Sequence, residues 1–220
     1  MTKTLAVEWL GTVPYGAALE QQLHAIEERR RAGPDRLLLL EHPPVITLGR
    51  SARPEHLRSS REGLARRGVE VIEVARGGDV TWHGPGQLVG YAIADLEARG
   101  EPDASLWLRS IEAALIDALG VLGVGARRIP GRTGVFLEKP VAGAARKIAS
   151  IGIGLRGWIT WHGFALNLTT ALDAFSDIVP CGLHDVRMTS LAEALGAEPT
   201  PALFERGRAE VAAAFTRALE

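Results

Sequence analysis

Short runs in which apolar and polar residues alternate fill much of the middle of the chain. Alternation with a period of two is typical of strands that have one buried face. It predicts strands at residues 4–10, 45–48, 69–75, 87–94, 147–155 and 160–168. The last two are separated by an Arg-Gly-Trp turn and are expected to pair antiparallel. Residues 37–40 are apolar without interruption, which predicts a short strand buried on both faces.

Apolar residues at helical spacing predict helices near both ends of the chain and in its centre. The first covers residues 14–31 and stops before a Gly-Pro pair. A long central helix is capped by Asp103 or Ser105 and extends to about residue 122. The remaining helices are expected at residues 62–67, 190–195 and 201–219. The second of these opens with a Ser-Leu-Ala-Glu capping box.

The order of these elements indicates the fold class. Strands cluster in the middle and helices flank them without strict alternation. This order predicts an α+β fold with a central mixed or antiparallel sheet and flanking helices, and it disfavours a doubly wound parallel sheet. No change in composition marks a domain boundary, so we expect residues 1–220 to form a single domain. About the last 35 residues have the length to pack as a lobe of their own.

Residues 76–87, Arg-Gly-Gly-Asp-Val-Thr-Trp-His-Gly-Pro-Gly-Gln, lie between two predicted strands and are too rich in glycine for an ordinary strand. Glycine lets backbone N–H groups come close to a ligand. Arg76, Thr81, His83 and Gln87 add side-chain donors, and no Gly-Lys-Ser/Thr follows, so this is not a P-loop. We expect the stretch to line a groove for an extended, mostly apolar ligand with a polar head. A tight hairpin with a bulge is the ordinary alternative.

Charge and composition exclude several classes of function. The formal net charge of −1 argues against a large nucleic-acid-binding or anionic-membrane surface. No apolar segment is long enough to cross a bilayer and no signal-peptide pattern opens the chain, so a cytoplasmic protein is expected. No apolar stripe demands a partner subunit, so a monomer is expected. The single cysteine excludes an internal disulfide and argues against a zinc site built on cysteines.

Cys181 and Lys147 are the strongest candidates for covalent chemistry. Cys181 lies between Pro180 and Gly182, which predicts a turn that presents its side chain. A thiol with an ordinary pKa of about 8.5 needs a base or a nearby positive charge to act as a nucleophile. Lys147 begins an apolar strand, where burial lowers the pKa of a lysine and lets it exchange protons. The ordinary alternatives are a buried, inert cysteine and a solvated lysine.

Two identical tetrapeptides, Thr-Trp-His-Gly, contain His83 and His162. The two fragments are expected to face one another across one pocket. Either imidazole is a candidate general base for Cys181, but a positioning role through hydrogen bonds is the favoured interpretation. Two histidines without a carboxylate cluster make a poor metal site, so no metal is expected. The candidates for an apolar wall, with ordinary core packing as the alternative, are Trp158, Trp161, Phe164 and Phe175.

Several blocks of sequence, in this order and spacing, resemble the lipoyl(octanoyl) transferases, which move an octanoyl group from acyl carrier protein to lipoyl domains. The resemblance extends from about Leu37 to about Leu195. Trp82 and Trp161 replace residues common in the family, so we expect both to bear on the shape of the acyl pocket. The blocks are residues 76–91 (RGGDVTWHGPGQLVGY), 134–136 (GVF), 146–152 (RKIASIG), 160–167 (TWHGFALN), 175–183 (FSDIVPCGL) and 189–191 (TSL).

The resemblance implies a fold similar to the class II synthetase-like catalytic domains of biotin and lipoate ligases, with that core at about residues 34–220. It implies that Cys181 carries an acyl thioester and that Lys147 tunes it, with ping-pong kinetics and without ATP, metal or another cofactor. The implied donor is octanoyl-acyl carrier protein. The implied acceptors are lipoyl domains of 2-oxoacid dehydrogenases and the glycine cleavage H protein. The implied pocket is lined by Arg76, Gly77, Gly78, Asp79, Val80, Thr81, Trp82, His83, Ser150, Ile151, Gly152, Gly163, Phe164 and Ala165.

Two rival functions are compatible with parts of the sequence. An ATP-dependent lipoate or biotin ligase shares the fold and a pocket lysine, but it activates a free acid and needs no cysteine. A non-catalytic module that binds lipoyl domains or acyl carrier protein needs neither Cys181 nor Lys147. The presence of both residues, with both Gly-His blocks, favours the transferase. A turnover assay without ATP separates the three functions.

Overall fold

The structure is a computed structural model that describes residues 5–180 and 185–219. The α-helices are Tyr15–Arg30 (α1), Arg61–Arg66 (α2), Ala104–Val121 (α3), Leu191–Leu195 (α4) and Pro201–Leu219 (α5). The strands are Leu5–Thr12 (β1), Asp35–Glu41 (β2), Val45–Leu48 (β3), Glu70–Glu73 (β4), Val80–His83 (β5), Gln87–Ile93 (β6), Ala126–Arg127 (β7), Val135–Leu137 (β8), Ala145–Arg156 (β9), Ile159–Asn167 (β10) and Val186–Met188 (β11). None of these helices is long and apolar enough to cross a membrane.

An eight-stranded mixed sheet forms the centre of the fold. Its order is β1-β2-β6-β10-β9-β8-β7, and β11 pairs with β9. β1 and β2 are parallel, as are β11 and β9, and the other neighbours are antiparallel. The predicted antiparallel pairing of β9 with β10 is confirmed. The predicted α+β fold with a central mixed sheet is confirmed as well.

Helices cover both faces of this sheet. In β2, Leu37 and Leu39 pack in the core formed with α3 and α5. Leu38 and Leu40 pack in a second core, which α1 covers. Successive side chains of a strand point to opposite faces, so the uninterrupted leucines of β2 fit a strand with an apolar layer on each side.

A second sheet, in the order β4-β3-β5, contains part of the glycine-rich stretch. The prediction that this stretch is not a strand is wrong at Val80–His83, which pairs antiparallel with β3. The strand consists of Val, Thr, Trp and His, and the glycines lie outside it, so its local composition suits a strand. The hairpin alternative is also wrong, because β5 belongs to the small sheet and β6 to the large one.

The C-terminal residues do not form a separate lobe. α5 packs against α3 and β1. Phe215 of α5 stacks on Phe164 of β10, with ring centroids 5.0 Å apart. This helix therefore completes the main core. The alternating pattern does not predict β7 and β11, because two or three residues contain too little alternation to be detected.

Candidate active site

A narrow cleft lies where β5 and the loop before it meet β6, β9 and β10. Its volume is only about 50 Å³. A space this narrow suits an unbranched chain better than a ring. The cleft is lined by Tyr15, Arg76, Gly78, Asp79, Thr81, His83, Val89, Tyr91, Ser150, Ile151, Gly152, His162, Gly163, Phe164 and Ala165.

The structure brings most of the residues predicted to line a pocket around this cleft. Because side chains alternate along β5, Thr81 and His83 face the cleft. Val80 and Trp82 point the other way, into a separate apolar core. Gly77 does not line the cleft, but its backbone bonds to β9 and supports the wall. The blocks lie on the strands that form this cleft, and the register of each strand decides which of their side chains reach it.

The two tryptophans that depart from the family pattern do not line the cleft themselves, but the Trp161 ring stacks on the ring of the cleft residue His162, with centroids 4.1 Å apart. The Trp82 ring packs on Phe175, with centroids 5.6 Å apart. Trp161 packs in the core that α1 covers. Among the four aromatic candidates for an apolar wall, only Phe164 lines the cleft, and Trp158 is 40% exposed.

Two backbones meet where the glycine-rich loop crosses β9. The Gly77 N–H donates to the Ile153 carbonyl oxygen at 3.0 Å. A β carbon on Gly152 would lie 2.8 Å from the Gly77 carbonyl oxygen. A side chain at position 152 would therefore push the two segments apart. This contact fixes two walls of the cleft against each other.

Arg76 is a buried positive charge in the cleft wall. Its Nη2 donates to both the carbonyl and the hydroxyl oxygen of Thr47, each at 2.9 Å. Its Nη1 donates to the Gly77 carbonyl oxygen at 3.0 Å. These bonds hold the guanidinium, and with it the positive charge, against β3 in the wall of the cleft.

Three histidines at or beside the cleft are held in the neutral form. Burial lowers the pKa of His42 to about 4. Burial also lowers the pKa of His83 and of His162 to about 3, and the charge of Arg76 adds to the effect on both. An imidazole with so low a pKa is a weak general base, which favours the positioning role. Among the described residues, no three His, Cys, Asp or Glu side chains cluster as metal ligands would.

The partners of two of these histidines define their tautomers. His42 Nδ1 donates to the Val13 carbonyl oxygen at 2.6 Å, so its Nε2 accepts from the Tyr91 hydroxyl at 2.7 Å. His83 Nδ1 donates to Gln87 Oε1 at 2.7 Å, which leaves its Nε2 as an acceptor. The imidazoles therefore form part of a fixed polar layer beneath the cleft.

His162 has a left-handed backbone conformation with φ of 57°, which is uncommon for a residue other than glycine. Its N–H donates to Gln22 Oε1 on α1 at 2.9 Å, which helps to hold this conformation. His162 Nε2 and Asp79 Oδ1 are buried, and neither has a hydrogen-bond partner within the described part of the chain. A buried polar atom without a hydrogen-bond partner lowers the free energy of unfolding by about 1–3 kcal/mol. A ligand whose polar head bonded to these two atoms would recover part of this loss.

A bulge in β9 orients Lys147. Consecutive residues of β8 pair with Lys147 and with Ala149, so β9 has one extra residue at this point. Ile148 and Ala149 then both pack in the core with α3 and α5. Lys147 faces the opposite side, the one from which Ser150 reaches the cleft. Lys147 is 2% exposed, and its Nζ lies 5.6 Å from the centroid of the Phe136 ring.

A line of hydrogen bonds joins the cleft to the strand that contains Lys147. Gln87, which is bonded to His83, donates from its Nε2 to Asn167 Oδ1 at 2.9 Å. Asn167 Nδ2 donates to the Thr189 carbonyl oxygen at 2.9 Å. The Thr189 N–H donates to the Lys147 carbonyl oxygen at 3.0 Å. Asn167 thus connects the hydrogen-bonded pair of His83 and Gln87 with Thr189, which is bonded to β9.

Cys181, the predicted nucleophile, lies outside the described residues. The described residues that flank it in the chain are Pro180 and, after residue 184, Asp185 and those that follow. Pro180, Val186 and Met188 line one cavity, and Met188 pairs with Lys147 in the ladder between β11 and β9. Pro180 therefore shares a cavity with residues of β11, the strand that pairs with the one containing Lys147.

Three residues that line the cleft were not predicted as pocket residues, namely Tyr15, Val89 and Tyr91. Val89 and Tyr91 lie on one face of a predicted strand, so alternation identifies them once that face is known. Tyr15 begins α1, far away in sequence, and no local signal marks it. Burial raises the pKa of Tyr15 to about 12, so its hydroxyl is protonated.

Comparison with known proteins identifies the family. The sequence profile of the lipoyl protein ligase A/B catalytic domain matches residues 14–215. An octanoyltransferase from Geobacter metallireducens is 46% identical over 198 residues, which cover 87% of this chain and 84% of that protein. The chain belongs to the octanoyltransferase family. An octanoyltransferase from Chloroflexus aurantiacus is 44% identical over 217 residues, which cover 97% of this chain and 95% of that protein.

The family identification made from the sequence blocks is thereby confirmed, and with it the class of enzyme, an acyltransferase. The octanoyltransferase of Myxococcus xanthus is 47% identical over 197 residues, and this chain spans 54% of its length. The matched part is therefore a portion of that longer relative.

Solved lipoate ligases share the fold of this octanoyltransferase family member. An archaeal bipartite lipoate protein ligase from Thermoplasma acidophilum has a TM-score of 0.72 at 16% identity, covering 97% of this chain and 83% of that one. Lipoate-protein ligase A bound with ATP has a TM-score of 0.70 at 16% identity, covering 100% of this chain and 86% of that one. At such identity the likeness concerns the fold alone, and it confirms the expected similarity to lipoate ligases.

Proposed function

We propose that this chain transfers an octanoyl group from octanoyl-acyl carrier protein to lysine ε-amines of lipoyl domains, through an acyl thioester on Cys181. One observation carries the proposal. Lys147 is 2% exposed, is turned by the bulge to the cleft side of β9, and pairs with the strand that follows Cys181 in the chain. Membership of the octanoyltransferase family supports the acyl group and the class of reaction.

In the first half-reaction, Lys147 takes the proton of the Cys181 thiol, and the thiolate attacks the thioester carbonyl of the donor. A bond forms between this carbonyl carbon and the Cys181 sulfur, and the bond to the carrier's sulfur breaks. The carrier leaves as a thiol after taking the proton from Lys147. One thioester replaces another, so the step is nearly balanced in free energy and needs no ATP.

In the second half-reaction, the neutral ε-amine of a lipoyl-domain lysine attacks the octanoyl thioester. A C–N bond forms and the bond to Cys181 breaks. Lys147 accepts the proton that the amine loses and returns a proton to the Cys181 thiolate. An amide is more stable than a thioester, so this step drives the transfer.

The shape and chemistry of the cleft support an acyl ligand. Apolar side chains from three strands line it, including Val89, Ile151 and Phe164. His162 Nε2 is buried and has no partner among the described residues, so an imidazole protonated on this nitrogen can donate to the thioester carbonyl or to the oxyanion of its tetrahedral intermediate. A narrow cleft with apolar walls and polar atoms at its side fits an unbranched fatty acyl thioester.

Intact mass measurement after incubation with octanoyl-acyl carrier protein, without ATP, tests the proposal. We expect an octanoyl adduct that hydroxylamine removes and that is absent in Cys181→Ser. Cys181→Ala is expected to lose transfer but to keep carrier binding. If no adduct formed and transfer depended on free octanoate and ATP, the chain would be an ATP-dependent ligase instead.

The same assay contains a control for Lys147. Lys147→Ala is expected to form the adduct about 10²–10⁴-fold more slowly and to lose the pH dependence of that step. Lys139→Ala, which removes an exposed lysine, is the matched control and is expected to react like the unmodified protein. An unchanged pH–rate profile in Lys147→Ala would exclude the acid–base role.

We also propose that the acceptors are lipoyl domains of 2-oxoacid dehydrogenases and the glycine cleavage H protein, and that residues 1–220 act as one catalytic domain. The second proposal is supported by β1, which is an edge strand of the main sheet, and by α1, which covers one of its faces. Octanoylation of an isolated lipoyl domain by the purified chain tests both.

A further inference from the structure

One stretch of this nearly neutral chain is strongly basic. Residues 50–67, called the basic segment below, contain six arginines and two glutamates, a formal charge of +4, whereas the whole chain has a net charge of −1. Two of the arginines, Arg61 and Arg67, pair with acidic side chains. Within the described residues, four exposed arginines form no ion pair, namely Arg50, Arg53, Arg58 and Arg66.

One side of the basic segment is attached to the wall of the cleft. The Arg50 N–H donates to the Arg76 carbonyl oxygen at 3.1 Å. The His56 ring is hydrogen-bonded to the carboxylate of Asp79. Arg76 and Asp79 themselves line the cleft. The basic segment therefore adjoins the wall of the cleft.

The other side of the basic segment is attached to the residues that precede Cys181. The Val179 N–H donates to the His56 carbonyl oxygen at 2.8 Å, and the Arg58 N–H donates to the Asp177 carbonyl oxygen at 2.8 Å. The Ser59 hydroxyl donates to the Asp177 carboxylate at 2.5 Å. The segment thus connects the cleft wall with the chain that leads to the proposed nucleophile.

A cavity of about 490 Å³ opens on the basic segment. Arg50, Arg53 and Arg61 line it, together with Glu73, which pairs with Arg61, and with apolar side chains such as Leu48 and Leu57. Guanidinium groups bind phosphate oxygens well, because their N–H groups match the spacing of two oxygens. The cavity is therefore suited to an anionic phosphodiester on a flexible arm.

We propose that the basic segment is the docking surface for the acyl donor, an acidic carrier protein whose thiol arm is attached through a phosphodiester. This rests on the proposed function and extends it to the place where the donor binds. The negative charge of the carrier and of its phosphodiester complements the charge of the segment. The acceptor presents a lysine side chain and no phosphodiester, so the arginines that line the cavity favour the donor.

Charge complementarity of this kind acts mainly on the rate at which the two proteins associate. Opposite charges steer partners together and raise association rates by about 10–10³-fold, and salt screens them over about 10 Å at an ionic strength of about 0.1 M. We therefore expect the segment to affect KM for the carrier-bound donor, in a salt-dependent way, and to leave kcat unchanged.

Charge reversal within the segment tests the proposal. Arg53→Glu/Arg58→Glu is expected to raise KM for octanoyl-acyl carrier protein about tenfold or more at low ionic strength, with a smaller effect at high salt. With octanoyl-pantetheine, a small uncharged thioester, the same variant is expected to form the acyl-enzyme at the unmodified rate, which also shows that it folds. Arg31→Glu/Arg206→Glu makes the same change in charge at exposed arginines after α1 and on α5 and is expected to leave KM unchanged.

Each contrary result has a separate meaning. An unchanged KM in Arg53→Glu/Arg58→Glu, or an equal rise in both double variants, would overturn the docking surface. A rise confined to KM for the lipoyl domain would assign the surface to the acceptor and overturn it as well. Failure of the unmodified protein to form an acyl-enzyme from either donor would overturn the proposed function itself.

Discussion

At the scale of single residues, Gly134 makes room for the side chain of Lys147. Its φ of 118° is one that other residues rarely adopt. A β carbon there would lie 2.8 Å from Lys147 Cε and 2.5 Å from the Ala149 carbonyl oxygen. The proposed acid–base residue can pass this close to β8 only because the side chain is missing.

Gly134→Ala is therefore expected to slow acyl-enzyme formation about 10²-fold, because the added methyl group would displace the Lys147 side chain. The strained backbone is expected to lower the free energy of unfolding by about 1–3 kcal/mol. Single-turnover rates with octanoyl-pantetheine and urea unfolding measure the two effects.

Gly131→Ala is the matched control, since Gly131 has φ of 75° and a β carbon there would meet no atom within 4 Å. It is expected to cost stability through backbone strain and to keep the rate of acyl-enzyme formation. An equal loss of rate in both variants would show that displacement of Lys147 is not the cause.

At the scale of elements, α3 supports the turn before β8 through one buried carboxylate. Glu112 is fully buried, and its Oε1 accepts the Gly134 N–H at 3.0 Å. Its Oε2 accepts from Arg109 Nη1 at 2.6 Å and from Arg128 Nε at 3.0 Å. A helix on one face of the sheet thus holds the backbone that adjoins Lys147.

Glu112→Ala is expected to lower the free energy of unfolding by about 1–3 kcal/mol, because it leaves the buried Gly134 N–H without its acceptor, whereas the Arg109 and Arg128 side chains are 46% and 41% exposed and can turn to water. Asp117→Ala on the same helix removes an exposed pair with Arg217 and is expected to cost about 0–1 kcal/mol. Urea unfolding of the two variants compares them directly. Similar losses would show that the Glu112 carboxylate has no special supporting role.

At the scale of the whole molecule, three neutral histidines make stability depend on pH. His42, His83 and His162 have pKa values lowered by burial to about 4, about 3 and about 3. In the unfolded chain a histidine titrates near pH 6.5, at about its ordinary pKa. Between these values the unfolded chain binds protons that the folded chain does not. Stability is therefore expected to decrease as pH falls from about 6.5 towards 4, by about 1.4 kcal/mol per pH unit for each histidine.

Urea unfolding from about pH 7 down to about pH 4.5 measures this slope. His42→Gln is expected to reduce this slope by about 1.4 kcal/mol per pH unit, which is the contribution of one proton. His24→Gln is the control, because its side chain is 75% exposed, and it is expected to leave the slope unchanged. A protein that became more stable as pH fell through this range would contradict the neutral state of the buried histidines.

Most elements of the fold were predictable from the sequence, because their signals are local. Asp103 caps α3 by accepting the Ser105 N–H, and Ser190 caps α4 by accepting the Glu193 N–H, as their positions before apolar helical patterns indicate. The pairing of β9 with β10 follows from two alternating runs and a short turn. The two Gly-His blocks likewise indicate one pocket, and both histidines line it.

The chain's amino-acid order by itself determined the periods, caps and turns, and it determined the family through blocks that carry particular functional groups. Only the tertiary structure decided that β5 joins the small sheet, that Thr81 faces the cleft while Trp82 does not, and that the extra residue in β9 turns Lys147 towards the cleft side. These outcomes depend on the register between strands far apart in sequence, and a change of one residue in register reverses the face on which each side chain lies. The protonation of the buried histidines depends in the same way on which distant groups remove them from water.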